Sequence, residues 1–127
     1  MRDKSWTAVS RRAGYMEIYR PEGGPDLRAT LLPVLRGLEE GLPARLPVRL
    51  VVRRLRDCWG FCDLRRTRRD GPHFLVCIDD RSCEAMGRHT LAHEYAHALA
   101  WDEPGGTHSD AWGRAYAAVY RALEGEE

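Results

Sequence analysis

Residues 89–108 read HTLAHEYAHALAWDEPGGTH. They hold four of the chain's five histidines: His89, His93, His97 and His108. His93 and His97 stand four apart, which on a helix places them about 40° apart around the axis and roughly 6 Å apart along it. Two imidazoles so placed can converge on one metal ion. Glu94 is turned about 100° from His93, beside the metal axis, where a carboxylate can hold a water and take its proton. The pattern is H-E-x-x-H, two metal ligands and a general base. Zinc lowers the pKa of a coordinated water towards about 7, and the neighbouring Glu makes the nucleophile available at neutral pH.

A catalytic zinc takes three protein ligands and keeps a position for water. The chain offers His108 after the Pro-Gly-Gly of residues 104–106, a loop long enough to end the helix and return. His108 also stands just ahead of an apolar stripe that begins at Trp112. Packing that stripe on the H-E-x-x-H helix swings His108 towards the metal. Asp102, Glu103 and Asp110 are alternative third ligands. The first two are expected to point away, and Asp110 to cap the last helix or accept from an imidazole N–H. His89 reads as a solvated helix residue, and His73 has no evident partner.

Outward from this stretch, the pattern predicts an α+β layout. Asp26 caps a first helix in which Leu27, Leu31, Val34, Leu35 and Leu38 follow helical spacing, with Pro33 set to kink it or move its start. VRLVVRRLR (48–56) alternates as a strand with one solvated face. CWGFCDL (58–64) is a second strand, RRTRRDGP (65–72) a turn around Asp70-Gly71, and HFLVCID (73–79) a third, less exposed strand. A long helix follows from about Ser82, and an amphipathic one carries Trp112, Ala115, Tyr116, Val119, Tyr120 and Leu123. The expected core is a three-stranded sheet against the H-E-x-x-H helix and its flanking helices. If 73–79 lies at the edge facing the cleft, an extended peptide can add to it by backbone pairing. Tyr95, Tyr116 and Tyr120 sit at helical spacing, which favours core packing over donation to an oxyanion.

With 127 residues the chain is expected to hold one domain, over 26–127, behind a segment 1–25 broken off by PEGGP. A hydrophobic content of 43% against 31% charged excludes a disordered tail. No run approaches the roughly 18 apolar residues that span a bilayer, and the first twenty residues lack a signal-like apolar block. A cytoplasmic protein without a membrane partner is the expectation. Cys58, Cys62, Cys77 and Cys83 without an export signal argue against disulfides. Buried thiols are the expected role, and a second zinc site the alternative, because C-x3-C and C-x5-C are looser than zinc knuckles. Seven arginines lie between 53 and 69, with Trp59 and Phe61 among them. Arg65, Arg66, Arg68 and Arg69 are candidate phosphate contacts, with aromatics available for base stacking. The alternative is a charged, solvated hairpin.

TLAHEYAHAL (90–99) followed by HSDAWGRAYAAVYRA (108–122) resembles the SprT-like zinc metallopeptidases, in which H-E-x-x-H on a helix precedes His-Gly-x-x-Trp/Phe opening the next. The likeness spans residues 26–123 in element order, and its specific part is 90–122. It implies a zincin-like fold, one Zn2+ per chain on His93, His97 and His108, Glu94 as general base, and a protein or peptide substrate. Trp112 stands for the aromatic four places after the third ligand. Ser109 replaces the usual Gly. No cysteine follows Cys83, so the zinc ribbon of larger members has no counterpart and a minimal catalytic domain is expected. Relatives that act on DNA–protein crosslinks make DNA a further expected partner. A nucleic-acid-binding protein, or a zinc-stabilised interaction module without turnover, are the other functions this sequence allows.

Overall fold

The computed structural model describes residues 6–7 and 26–125. In chain order these form β1 (Trp6–Thr7), α1 (Leu27–Gly41), β2 (Val48–Arg53), β3 (Cys58–Thr67), β4 (Gly71–Asp79), α2 (Glu84–Leu99) and α3 (Asp110–Glu124). The class is α+β. Strand order is β1-β3-β4-β2, with β2 parallel to β4 and the other pairings antiparallel. The three expected strands are thus joined by a fourth of two residues at one edge. The remainder of the expected segment 1–25 lies outside the described residues.

The Asp26 carboxylate accepts from the Arg28 and Ala29 amides at 3.1 and 3.5 Å, which starts α1 where capping predicts. Its apolar stripe, Leu27, Leu31, Val34, Leu35 and Leu38, is buried. Pro33 does not delay the helix. It lies on the exposed side, where the Ala29 carbonyl that loses its donor faces water.

Strand β4 corrects one expectation. It lies between β3 and β2, hydrogen-bonded on both sides, so it has no edge to offer a peptide. Its central place explains the unbroken burial from Val76 to Asp79. Strand β3 is also longer than expected, because Arg65, Arg66 and Thr67 pair with His73, Pro72 and Gly71 instead of turning. The turn is Arg68–Asp70, closed by the Asp70 amide on Thr67 Oγ1 at 2.9 Å and by Gly71 at φ 66°. At the other end of β4, buried Asp79 holds Arg81 at 2.7 Å and accepts from the Leu55 amide at 3.3 Å. These contacts fix the chain between β4 and α2. Cys83, not Ser82, is the N-cap of α2.

Helix α2 is the centre of the molecule. It packs against β3, β4, α1 and α3, and every residue from Thr90 to Ala98 is buried. Ala92, Ala96 and Ala98 let neighbouring elements approach closely. The core joins the α1 stripe to Leu50, Cys62, Phe74, Val76, Ile78, Leu91 and Tyr95. After α2 the chain reverses through Gly105 and Gly106 at φ 109° and 88°. A side chain at Gly105 would also meet Ser109 Cβ at 2.9 Å. Ser109 then accepts from the Trp112 amide at 3.3 Å and caps α3. Among the described residues, no helix is long and apolar enough to cross a membrane.

Candidate metal centre

The i, i+4 pair on α2 and the loop–helix junction ahead of α3 meet as their spacing predicts. One ligand nitrogen from each of His93, His97 and His108 lies within 4.8 Å of the other two. His93 and His97 are buried and His108 is exposed, so the group faces solvent on one side. His93 Nε2 and His108 Nε2 are 3.2 Å apart. Two nitrogens on a tetrahedral zinc at 2.0–2.1 Å stand roughly 3.3 Å apart, so this pair is already at ligand spacing. Burial, then the neighbouring His108 and His89, push the His93 pKa from 6.5 to about 4. At neutral pH the ring therefore keeps a lone pair for a metal. The three histidines fit a metal ion by number and spacing, and His93 also by protonation.

The alternative third ligands do not join this group. Asp102 is held by the Arg45 guanidinium in a two-pronged ion pair. Asp110 opens α3 with its exposed side chain in the first turn, and Glu103 is exposed in the loop.

Trp112 binds the cluster together. Its ring lies 5.0 Å from His93, 5.4 Å from His97 in a stacked arrangement, and 4.7 Å edge-on from His108. The indole N–H donates to the His93 carbonyl at 3.3 Å. Tyr116 stacks on Trp112 at 4.8 Å, and Tyr116 contacts Tyr120 in turn. His89 is not a solvated residue. It is half-buried, with Nδ1 2.6 Å from the Tyr120 hydroxyl. Two stripes with four-residue spacing therefore face each other: His89, His93 and His97 on α2, and Trp112, Tyr116 and Tyr120 on α3. The sequence carries that signal in the matched spacing.

Glu94 is fully buried between α2 and the sheet. Strand β3 crosses above it at Gly60. A Cβ there would stand 2.5 Å from Thr90 Cγ2, 2.9 Å from the Cys77 carbonyl oxygen and 3.7 Å from Glu94 Cγ. No side chain fits, so Gly60 sets how closely the strand backbone approaches the site. Sequence reasoning passed over this residue, and a lone glycine inside a strand pattern was the available sign. Tyr95 points elsewhere: its hydroxyl donates to the Leu42 carbonyl at 2.6 Å. His73 is buried and has a partner after all, with Nδ1 3.0 Å from the Gly71 carbonyl oxygen.

Among the described residues no disulfide joins the cysteines. Cys62 and Cys77 are both buried, but the register Phe61↔Cys77 and Cys62↔Val76 puts them on opposite faces of the sheet. Among the described residues, only the three histidines form a group able to hold a metal ion. In the arginine-rich region, Arg65 pairs with Asp63 at 2.7 Å and Arg54 with Asp80 at 2.9 Å. Arg66, Arg68 and Arg69 are exposed around the β3–β4 turn. Trp59 is fully buried, with the Arg81 guanidinium 5.5 Å from its ring centre, and is not placed to stack on a base.

Comparison with protein-family models, with curated proteins and with solved structures finds no match for the chain.

Proposed function

We propose that this protein is a zinc-dependent metallopeptidase of the SprT-like, zincin type. The observation that carries the reading is the convergence of His93 and His97, on the buried helix α2, with His108 from the loop ahead of α3, while Glu94, next to His93 in that helix, is fully buried. His93, His97 and His108 hold the ion. Zinc bound there supplies Lewis acidity and makes water acidic enough to attack a peptide carbonyl near neutral pH. Glu94 takes the proton from the attacking water and passes it to the departing amine, a general base and then a general acid. Its burial keeps bulk water from competing for that proton. Strand β3 passes close to Glu94 at Gly60, where Trp6 pairs with its other side.

The test is metal content by mass spectrometry together with proteolysis of an unstructured protein. The parent is expected to carry about one zinc per chain. His108→Ala should lose most of it. Glu94→Gln should keep the ion and lose turnover by about 10²–10⁴-fold, the usual worth of a positioned acid–base group. Zinc without turnover in the parent would leave the interaction-module reading in its place. No zinc in any variant defeats the proposal.

A nucleic-acid contact is favoured by one observation, the exposed Arg66, Arg68 and Arg69 around the hairpin turn. Steep salt dependence of DNA affinity that flattens when these three are neutralised would support it.

A further inference from the structure

Between the N-terminal half of α2 and the end of α3 lies a cavity of about 250 Å³, lined by none of the three clustered histidines. Ala85, Ala92 and Leu123 give it an apolar wall, and the last two belong to the core. His89 and Tyr120 line it as well, already joined to each other at 2.6 Å. Burial lowers the pKa of His89. The formal charges around the cavity are therefore those of Arg88 on α2 and Glu124 on α3.

These two charges have opposite signs and line one cavity from two helices. Among the described residues neither enters an ion pair, with the other or with anything else. Each passes over a partner on its own helix: Glu84 stands four residues before Arg88, and Arg121 three before Glu124, the spacings at which helical charges pair. Arg88 is half-buried, so packing holds its stem, and its planar fork matches a carboxylate. Glu124 closes α3, where the carbonyl ends of the last turn favour a cation. We propose that this cavity binds a small zwitterion with an apolar body, an apolar α-amino acid, with its carboxylate on Arg88, its ammonium on Glu124 and its hydrocarbon against Ala85, Ala92 and Leu123. Cavities that take drug-sized ligands run to roughly 300–1,000 Å³, so this one suits a smaller molecule. An anion or a cation alone would leave one wall charge unmatched. The site shares no residue with the metal group and does not rest on the peptidase reading.

The probe is L-leucine, titrated by calorimetry into the full chain. Arg88→Gln removes a charge-assisted pair on a half-buried group and should weaken binding by about tenfold or more. Glu124 is exposed, where solvent screens its pairing, so Glu124→Gln should cost only about threefold. Both changes keep side-chain volume, and urea midpoints equal to the parent's check the fold. Ala85 is also exposed, and Ala85→Trp should fill the mouth of the cavity and abolish binding. Isocaproate lacks the ammonium and isoamylamine the carboxylate. Each should bind more weakly than leucine, isoamylamine the more so. His108→Ala should bind leucine as the parent does.

No heat of binding from leucine at millimolar concentration overturns the proposal. So does equal affinity for the three compounds, which would mark an apolar hollow without charge recognition, or an affinity unchanged in Arg88→Gln or in Ala85→Trp. Leucine lost by His108→Ala but kept by Arg88→Gln would place it on a bound metal, chelated through its amine and carboxylate, and overturns the proposal as well.

Discussion

Trp112 tests whether the candidate metal centre depends on its packing as well as on its three histidines. Its ring touches all three histidines, and its N–H holds the His93 carbonyl. Groups that orient metal ligands from behind are commonly worth 10–100-fold in metal affinity, or about 1.4–2.7 kcal/mol. Trp112→Ala removes both the ring contacts and the hydrogen bond, so zinc affinity should fall through that range. Trp112→Phe keeps an aromatic surface and loses only the hydrogen bond. At 3.3 Å that bond is long, which puts it at the low end of the usual net 0.5–1.5 kcal/mol, roughly a threefold loss. The assay is competition for zinc against a chelating dye at pH 7.5, with urea unfolding of the metal-free proteins as a control for stability. The graded order parent, Phe, Ala is the expected result. Zinc bound by Trp112→Ala as tightly as by the parent, while His108→Ala loses it, would refute the argument.

Gly60→Ala would place a methyl carbon 2.5 Å from Thr90 Cγ2 and 2.9 Å from a backbone oxygen. Overpacking of this kind costs about 1–3 kcal/mol, read as a lowered urea midpoint, and an unchanged midpoint would contradict the close approach of β3. In metal-stripped protein the fold holds His93 neutral, with its pKa pushed from 6.5 down to about 4. A lowered imidazole pKa gives a contribution that is full above about pH 6.5 and is lost as pH falls towards 4, because the unfolded chain binds the proton first. Urea midpoints measured from pH 7.5 to 4.5 should decline over that interval, and less so in His93→Gln. A flat profile in the parent would speak against a His93 held neutral.

How much of this was legible in the sequence depends on how local the determining contacts are. His93 and His97 are one turn apart on a single helix, so helical geometry alone places them on one side. His108 needed only a loop and a helix that packs back. The place of β2 beside β4 is set by pairings between residues more than twenty positions apart, as in Val48↔Phe74, and alternation of side chains does not encode which strand is central. The arginine run was misjudged for a related reason. Arg65, Arg66 and Thr67 look like turn residues singly, yet backbone pairing with Pro72, His73 and Gly71 carries them into β3. Trp59 among arginines suggested an exposed aromatic, but it sits on the sheet face opposite Gly60 and is fully buried. His89 was read from its own polarity, while its position was decided by the tyrosines of α3.

The burial of α2 implies a link between metal and fold. An ordinary surface helix hides one stripe and leaves its polar residues in water. Here burial is continuous from Thr90 to Ala98, and His93, Glu94 and His97 lie within it. Taking such groups out of water costs free energy that apolar side chains at the same positions would not. Leu91, Tyr95 and the small alanines supply the packing that tolerates them. A metal that binds the folded site and not the unfolded chain returns stability by mass action, about 2.7 kcal/mol at a hundredfold excess over Kd. Zinc should therefore raise the unfolding temperature of the parent and a chelator should lower it, whereas His108→Ala, which keeps the buried groups but lacks the exposed ligand, should respond to neither. The same unfolding temperature for the parent with zinc and with chelator would mean that packing alone sustains these polar residues, and that α2 was not shaped around a metal.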